Sequence, residues 1–497
     1  MEISEELKRA YDRLSVYNLK FLRYVEETPG CLKRSTYARL LQLNHDVIRM
    51  QPWPLFLNRQ TLDEIEKAAV NVLDLIKCIP FRIFSNDYQK ISDYYEIPIE
   101  MVKYFFYGVT QEHFDGLLAR GDFIMSPSGM KCIEYNINTN LGGMDIPQWE
   151  SGCLQVPVIY EFMKESRLEI FNRNPYSLLF EQLVESARHR SADLCLQEEI
   201  NIALVMPEAP GSVRMSAYQM YLDTLFNNML QLKYPLFKGE VLFCDYSHLN
   251  IHASEESIFY KNKRVHILVE WCEGFVPTDI LALFEKGRVL IYNGAIAWFL
   301  STKLNFALLS EHEDSEIFTP EERETIKKHI PWTRKITDSK SETTYKGQKV
   351  KLVDFVLSNR EQLVLKPLVG SGGKDIYVGH KTSEDEWRQV VEKSLKGKND
   401  WKDLNLGETM TRQSWSALLE KALNMESWLV QEYVDSYPFV FQTGEEGYTA
   451  HQVSWGFFVF GHRYGGGVAR VLPLSNKKGV VNSHQGAEVS LLFEVKD

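Results

Sequence analysis

The sequence has no paired cysteines, no long apolar run, no surplus of positive charge and no internal repeat. Each lack closes off a class of protein. Seven cysteines are scattered at 31, 78, 132, 153, 195, 244 and 272, and none belongs to a Cys-x-x-Cys pair. An odd count at low density speaks against a disulfide framework and against a zinc site. The longest apolar-looking stretch, Val289 to Leu300, is interrupted by Asn293 and Gly294 and is too short to span a bilayer. The first residues, Met-Glu-Ile-Ser-Glu-Glu-Leu-Lys, carry no apolar signal core. A reduced cytoplasm is therefore the expected compartment, with no membrane partner. Lys and Arg number 56 against 67 Asp and Glu, a net charge of −11. Such a chain is poorly suited to a nucleic-acid backbone, which needs cations to displace its counterions. A local basic pocket for a nucleotide stays open. The balance of 44% hydrophobic and 25% charged residues over 497 positions is that of a globular protein of about three domains.

What is present begins at residues 120 to 136. They read Arg-Gly-Asp-Phe-Ile-Met, a Ser-Pro-Ser-Gly turn, then Met-Lys-Cys-Ile-Glu-Tyr-Asn. Two β-rich runs around a turn predict a hairpin. Side chains alternate along a strand, so Arg120 shares a face with Asp122, and Glu134 with Asn136. Pairing brings Asp122 and Glu134 together, at a repulsion of roughly 4 kcal/mol for charges about 4 Å apart. A divalent cation converts that repulsion into a site, and hard oxygen ligands beside an amide suit Mg²⁺ with a phosphate in its shell. The same alternation sets Cys132 on the face of Glu134, where a buried inert thiol is the plainer role.

Residues 1 to 110 have the three- and four-residue apolar spacing of helices. From Asn201 onward short apolar strands alternate with helical runs, among them Glu240 to Cys244 and Val289 to Tyr292. This pattern predicts a parallel, Rossmann-like layer. Ser257 to Tyr260 and Val265 to Val269 read as a hairpin around Lys-Asn-Lys. Thr319 to Lys351 is polar, carries Pro320 and Pro331, and reads as an exposed connection.

The segment from Gln362 to Val378 is strand, glycine loop, strand: Gln-Leu-Val-Leu-Lys-Pro-Leu, Val-Gly-Ser-Gly-Gly-Lys-Asp, Ile-Tyr-Val. Gly370, Ser371, Gly372 and Gly373 can bring backbone N–H groups against a phosphate, and Lys366 can set its ammonium there. Neither familiar glycine fingerprint fits. A P-loop needs Ser or Thr after the lysine, and Asp375 follows Lys374; a Gly-x-Gly-x-x-Gly motif fails at the same Asp375. Trp428-Leu-Val-Gln-Glu-Tyr-Val434 is an apolar strand that can offer Gln431 and Glu432 to an adenosine.

This order of strand, glycine loop and Val-Gln-Glu-Tyr-Val strand resembles the nucleotide clamp of ATP-grasp enzymes. That family carries its metal-binding residues after the clamp. Here nothing after Val434 offers them, and the matching pattern lies upstream at Asp122, Glu134 and Asn136. The arrangement is similar to circularly permuted ATP-grasp proteins, including the synthetase domain of glutathionylspermidine synthases. Arg120-Gly-Asp-Phe, Glu134-Tyr-Asn, Asn293, the run from Ser301 and Gly465-Gly-Gly-Val-Ala-Arg470 carry the resemblance.

It implies an α/β (α+β) ATP-grasp fold, circularly permuted. A helical N-terminal region spans 1–110, the metal-binding hairpin and helices 111–200, a Rossmann-like pre-grasp layer 201–295, and the nucleotide clamp 296–497. It implies an ATP- and Mg²⁺-dependent ligase joining a small or peptidic carboxylate to an amine through an acyl phosphate. The alternatives are a phosphotransferase on the same clamp and a nucleotide-binding scaffold. The metal would be held by Asp122, Glu134 and Asn136. Lys303, Lys366, the glycine loop, Gln431 and Glu432 would hold the nucleotide, and Arg120 and Arg470 would face the reacting phosphoryl group. His266, Glu270 and Trp271 stand where relatives place an Asp and an Arg, so the acid is expected to differ. The bland readings are solvated carboxylates on an exposed hairpin, a snorkelling Lys366 and a structural Arg470.

Overall fold

In the computed structural model, Leu118–Ser126 and Gly129–Asn136 form an antiparallel hairpin closed by Pro127 and Ser128. The structure describes residues 4–28, 49–138, 141–171, 173–206, 213–271, 274–338, 340–368, 370, 372–396, 410–423, 427–443 and 447–496. The hairpin is not isolated: Gly129–Asn136 forms one edge of a larger sheet. Its first strand pairs antiparallel with Gly447–Phe460, which pairs in turn with Arg463–Pro473, then Glu488–Val495, then Leu55–Leu57. One sheet of eight strands thus joins the N-terminal third of the chain to its last fifty residues.

Alternation gives this sheet two chemically different faces. Phe123, Cys132, Tyr135, Trp455 and Phe457 point one way and are buried. Against that side lies the helix Arg59–Arg82, started by Asn58, whose side chain accepts from the Thr61 N–H as an N-cap should. Leu62, Ile65, Ala69, Leu73 and Ile76 of this helix are buried at helical spacing, and the Tyr135 hydroxyl donates to the Ala69 carbonyl at 2.8 Å. The rings of Phe123 and Tyr135 occupy the place a Cβ would take at Gly121, 2.5 and 2.9 Å away. The glycine of Arg-Gly-Asp is therefore a packing residue. The opposite face carries Arg120, Asp122, Glu134, Asn136, Ser454 and Arg470.

The register slips once in the hairpin. Asp122 faces Glu134, but Phe123 faces Cys132, so Ile133 is an extra, bulged residue. The bulge corrects the expected face of Cys132: it stands with Phe123 on the helix side, away from Glu134.

Ile202–Val205, Val241–Cys244, Ile267–Glu270 and Leu290–Tyr292 make a four-stranded, all-parallel sheet. The run expected to pair with Ser257–Tyr260 is split. Lys263–Val265 completes that hairpin, while Ile267–Glu270 crosses into the parallel sheet. Buried His266 makes the switch, its Nδ1 accepting from the Asn201 N–H at 3.1 Å. The stretch read as an exposed connection is also structured. It holds the helix Pro320–His329, the strand Thr333–Lys335 and a hairpin of Glu342–Tyr345 with Gln348–Lys351. Its polarity reflects a capping box at Thr319 and Glu322 and a one-sided burial of the helix.

A third sheet, ordered Thr333–Lys335, Trp428–Glu432, Leu363–Pro367, Tyr377–Val378, has its own core around Trp332, Leu365, Trp387 and Val430. The segment from Asn293 to Lys303 ties the hairpin down. Asn293 accepts from Leu118 N–H at 2.8 Å and donates to its carbonyl at 2.7 Å. The Ser301 hydroxyl does the same for Ile137, at 3.0 Å each way. The hairpin is thereby pinned at both open ends.

Asn293→Ala leaves a buried N–H and a buried carbonyl of Leu118 without partners, at about 1–3 kcal/mol for each group. Hydrogen exchange should rise at residues 118–120 and the urea midpoint should fall. Unchanged exchange there would show that the pin is dispensable.

Candidate functional site

The polar face of the large sheet and the third sheet enclose a cavity of about 680 Å³. It is lined by Arg120, Asp122, Glu134, Asn136, Lys303, Lys366, Gly370, Gly372, Gly373, Gln431, Glu432 and Arg470, among others. Residues from five separate stretches of sequence thus meet in one place. Ser371 lies outside the described residues.

Asp122 is the most heavily bonded group here. Arg120 donates to it through Nε at 2.9 Å and Nη2 at 3.2 Å, Arg470 Nη2 stands 2.7 Å away, and the Asn136 amide donates at 3.3 Å. Burial disfavours its charge, but the two guanidiniums outweigh that and hold its pKa down at about 2. Arg120 also donates to the Gly142 carbonyl at 2.8 Å. Arg470 keeps one atom in reserve: its buried Nε has no partner among the described residues.

Glu134 faces Asp122 across the strands and pairs with Lys303 at 3.1 Å. Burial raises its pKa, and the lysines, Lys303 foremost, bring it below the usual carboxylate value. Lys303 starts the helix Leu304–Glu311 and also donates to the Gly370 carbonyl at 3.3 Å.

Lys366 is only 6% exposed, so it is not a snorkelling surface lysine. Its ammonium donates to the Ile133 carbonyl at 3.1 Å and to Gln431 Oε1 at 2.7 Å. The bulge at Ile133 is what frees that carbonyl from the strand ladder. Burial lowers the Lys366 pKa to about 8, with Glu134 opposing the shift. Gln431 is used at both ends, its Nε2 donating to Thr333 Oγ1 at 3.1 Å. Glu432 lies at the strand end beside the Tyr345 hydroxyl at 3.4 Å and Lys346 Nζ at 3.6 Å. Gly370, Gly372 and Gly373 all turn at positive φ, and the loop packs against Val480, Asn482 and His484.

Gln431, already a candidate from its strand, also supports Lys366, which only the structure reveals. One contributor had no sequence signal of its own. Gly456 stands directly opposite Asp122; a Cβ there would lie 3.0 Å from Arg120 Cδ and 3.4 Å from Asp122 Oδ1. Its lack of a side chain makes room for the ion pair.

Four cations, Arg120, Arg470, Lys303 and Lys366, surround the two carboxylates Asp122 and Glu134, a surplus of two positive charges. In a chain of net charge −11, this is a focused basic spot suited to a multiply charged anion. Among the described residues no three His, Cys, Asp or Glu side chains gather as a metal cluster; the hairpin offers two carboxylates and an amide. No described helix is long and apolar enough to cross a membrane.

No family model matches the sequence, and no curated protein matches it. A solved structure does match in shape: a glutathione synthetase-like effector from Globodera pallida in its apo form, with TM-score 0.53 and 10% sequence identity. The match covers 99% of this chain and 98% of that one. The chain has a glutathione synthetase-like fold.

Gly456→Val should push Arg120 off Asp122 and cost about 1–3 kcal/mol by overpacking. The folded pKa of Asp122 is depressed, so its contribution is full above the ordinary carboxylate pKa and fades as pH falls toward about 2. The stability gap between variant and wild type, from urea unfolding, should therefore narrow between about pH 4 and about pH 2. A constant gap would mean that the valine acts elsewhere.

Proposed function

We propose that this chain is an ATP- and Mg²⁺-dependent ligase that joins a carboxylate to an amine through an acyl phosphate. The observation that carries the reading is the pair of facing carboxylates, Asp122 and Glu134, set within a cationic surplus beside the glycine loop and Lys366. The resemblance to circularly permuted ATP-grasp enzymes and the glutathione synthetase-like fold support it.

The residues fit Mg²⁺ arriving with a nucleotide. Mg²⁺ favours one or two carboxylates with phosphate oxygens completing its shell, and Asp122, Glu134 and Asn136 are hard donors on one face. Their present partners are cations, so phosphates that draw Arg470, Arg120 and Lys303 toward themselves would release the carboxylates. Mg²⁺ held by these residues would supply neutralisation of the charge on the transferring group.

The protein's own part is positioning and charge. Lys366, braced by Gln431 and the Ile133 carbonyl, would hold the phosphates together with Lys303 beside Gly370, Gly372 and Gly373. Gln431 and Glu432 would border the adenosine. Arg120 and Arg470 would align the substrate carboxylate with the terminal phosphorus. A carboxylate oxygen then bonds to phosphorus as the bond to ADP breaks. The amine nitrogen next attacks the acyl carbon, phosphate leaves, and the nitrogen loses a proton, giving the amide.

Glu134→Gln and Lys366→Ala should each lower ADP formation at least about a hundredfold with circular dichroism unchanged. Normal turnover in either would remove the site assignment. Amide with free phosphate among the products identifies a ligase, a stable phosphorylated product a phosphotransferase, and nucleotide binding without ADP a scaffold.

Because Lys366 loses its proton above about pH 8, ATP affinity in the wild type should fall as pH rises past that value. The Lys366→Arg variant, charged throughout, should show a flat profile by calorimetry. Parallel profiles would take Lys366 out of the phosphate site.

A further inference from the structure

Between the strands Arg463–Pro473 and Glu488–Val495 the chain forms a strap, and residues 479–484 of it line the cavity. The strap is folded by its own short bonds. Asn476 Oδ1 accepts from the N–H groups of Lys478 and Gly479 at 3.0 and 3.1 Å, and Asn482 Oδ1 accepts from the His484 N–H at 2.9 Å. Its shape is therefore local, and its neighbours decide where it sits.

One neighbour is the glycine loop. A Cβ on Gly373 would lie 2.8 Å from Val480 Cγ1 and 3.3 Å from Asn482 Cβ, so the strap fills the place of the missing side chain. Gln485 Nε2 donates to the Gly372 carbonyl at 3.4 Å, while Gln485 Oε1 accepts from Lys478 Nζ at 3.2 Å.

The other neighbour is the large sheet. Gln452 is 8% exposed, lines the cavity, and donates through Nε2 to the Gly479 carbonyl at 3.0 Å. It lies on Gly447–Phe460, two residues from Ser454 and four from Gly456, so all three share the polar face. Gly456 leaves room for the Arg120–Asp122 pair, and Ser454 Oγ accepts from Arg470 Nη2 at 3.5 Å. Gln452 continues the row to Gly479, and the next residue, Val480, abuts Gly373. One strand thus reaches the carboxylate, the arginine and, through the strap, the glycine loop.

A glycine loop loses much conformational freedom on ordering, and its N–H groups serve a phosphate only when they converge. A loop held in place before the ligand arrives loses less binding free energy to ordering. We infer that Gln452 is a positioning residue for the glycine loop. By fixing Gly479 it sets Val480 and Gln485 against Gly373 and Gly372, and so orders the loop ahead of the nucleotide's phosphates. This rests on the nucleotide-binding part of the ligase reading.

The test uses the full-length protein. Gln452→Met keeps the length of the side chain and removes the donor. Without ligand, hydrogen exchange read by mass spectrometry should rise at residues 372–374 and 479–485 and stay unchanged at 118–136. The Kd of the Mg²⁺ complex of adenylyl imidodiphosphate, from calorimetry, should rise about tenfold. Val480→Ala with Gln485→Ala loosens the strap from the loop. Adding Gln452→Met to that pair should change the Kd by less than about twofold, because Gln452 acts through the strap; a merely structural role would instead add in full.

Unchanged exchange at 372–374, raised exchange with unchanged affinity, or an undiminished effect of Gln452→Met in the Val480→Ala, Gln485→Ala background each overturns the inference and leaves the ligase standing. Failure of the wild type to bind the analogue overturns the ligase reading, and exchange at 372–374 then decides by itself whether Gln452 orders the loop.

Discussion

The contact on which the site depends is the grip of Arg120 and Arg470 on Asp122. It closes a seam between a hairpin near residue 120 and strands near the end of the chain, so the charges and the sheet stand or fall together. Asp122 is 4% exposed, and a carboxylate taken that far from water must be paired. Removing one partner of a buried pair typically costs about 3–5 kcal/mol. That cost holds the two parts of the chain in one register. Gly456 is the condition for it, since any side chain opposite Asp122 would contest the space of the Arg120 guanidinium.

From that seam the other parts follow in order. Asp122 pairs with Glu134 and Phe123 with Cys132, which leaves Ile133 as a bulge between the two pairs. The bulge leaves a carbonyl unpaired by the sheet, and Lys366 takes it. Burial lowers the pKa of a lysine so deeply placed, Glu134 opposes that shift, and the ammonium donates to the Ile133 carbonyl and to Gln431. The hairpin therefore positions its own two carboxylates and also the lysine of the opposite sheet, which reaches across the cavity to a strand defect.

Local sequence carried the parts that depend on local rules. Alternation exposed the pairing of Arg120 with Asp122 and of Glu134 with Asn136, and turn residues exposed the hairpin and the glycine loop. The run of short apolar strands from Asn201 foretold a parallel sheet. What stayed hidden depends on partners far away in the chain. Period-two counting cannot see a bulge, so Cys132 was placed on the wrong face. It cannot see a strand changing sheets, so Val265 to Val269 looked continuous although His266 divides it. The polar stretch after Thr319 looked like a linker because its helix buries only Ile326 and His329. The bracing of Lys366 by Gln431 and the role of Gly456 come only from partners that lie 65 or more positions away in the chain.

The ion pairs also bear on how a metal could enter such a site. Two carboxylates facing each other look like a cation trap only when their neighbours are ignored. Here Lys303 already answers Glu134 and two arginines answer Asp122, and with Lys366 the four cations outnumber the two carboxylates by two. A lone divalent cation would approach a net positive field and would have to displace formed bonds. A polyphosphate meets the opposite field, and it competes for the arginine and lysine partners that now occupy the carboxylates. Under the proposed reading the nucleotide is therefore what makes the carboxylates available, and metal and phosphate enter as one charge-balanced unit. The buried, unpartnered Nε of Arg470 agrees with this: that guanidinium has a hydrogen-bonding position not satisfied in the resting arrangement, and a phosphate or an acyl carboxylate can complete it.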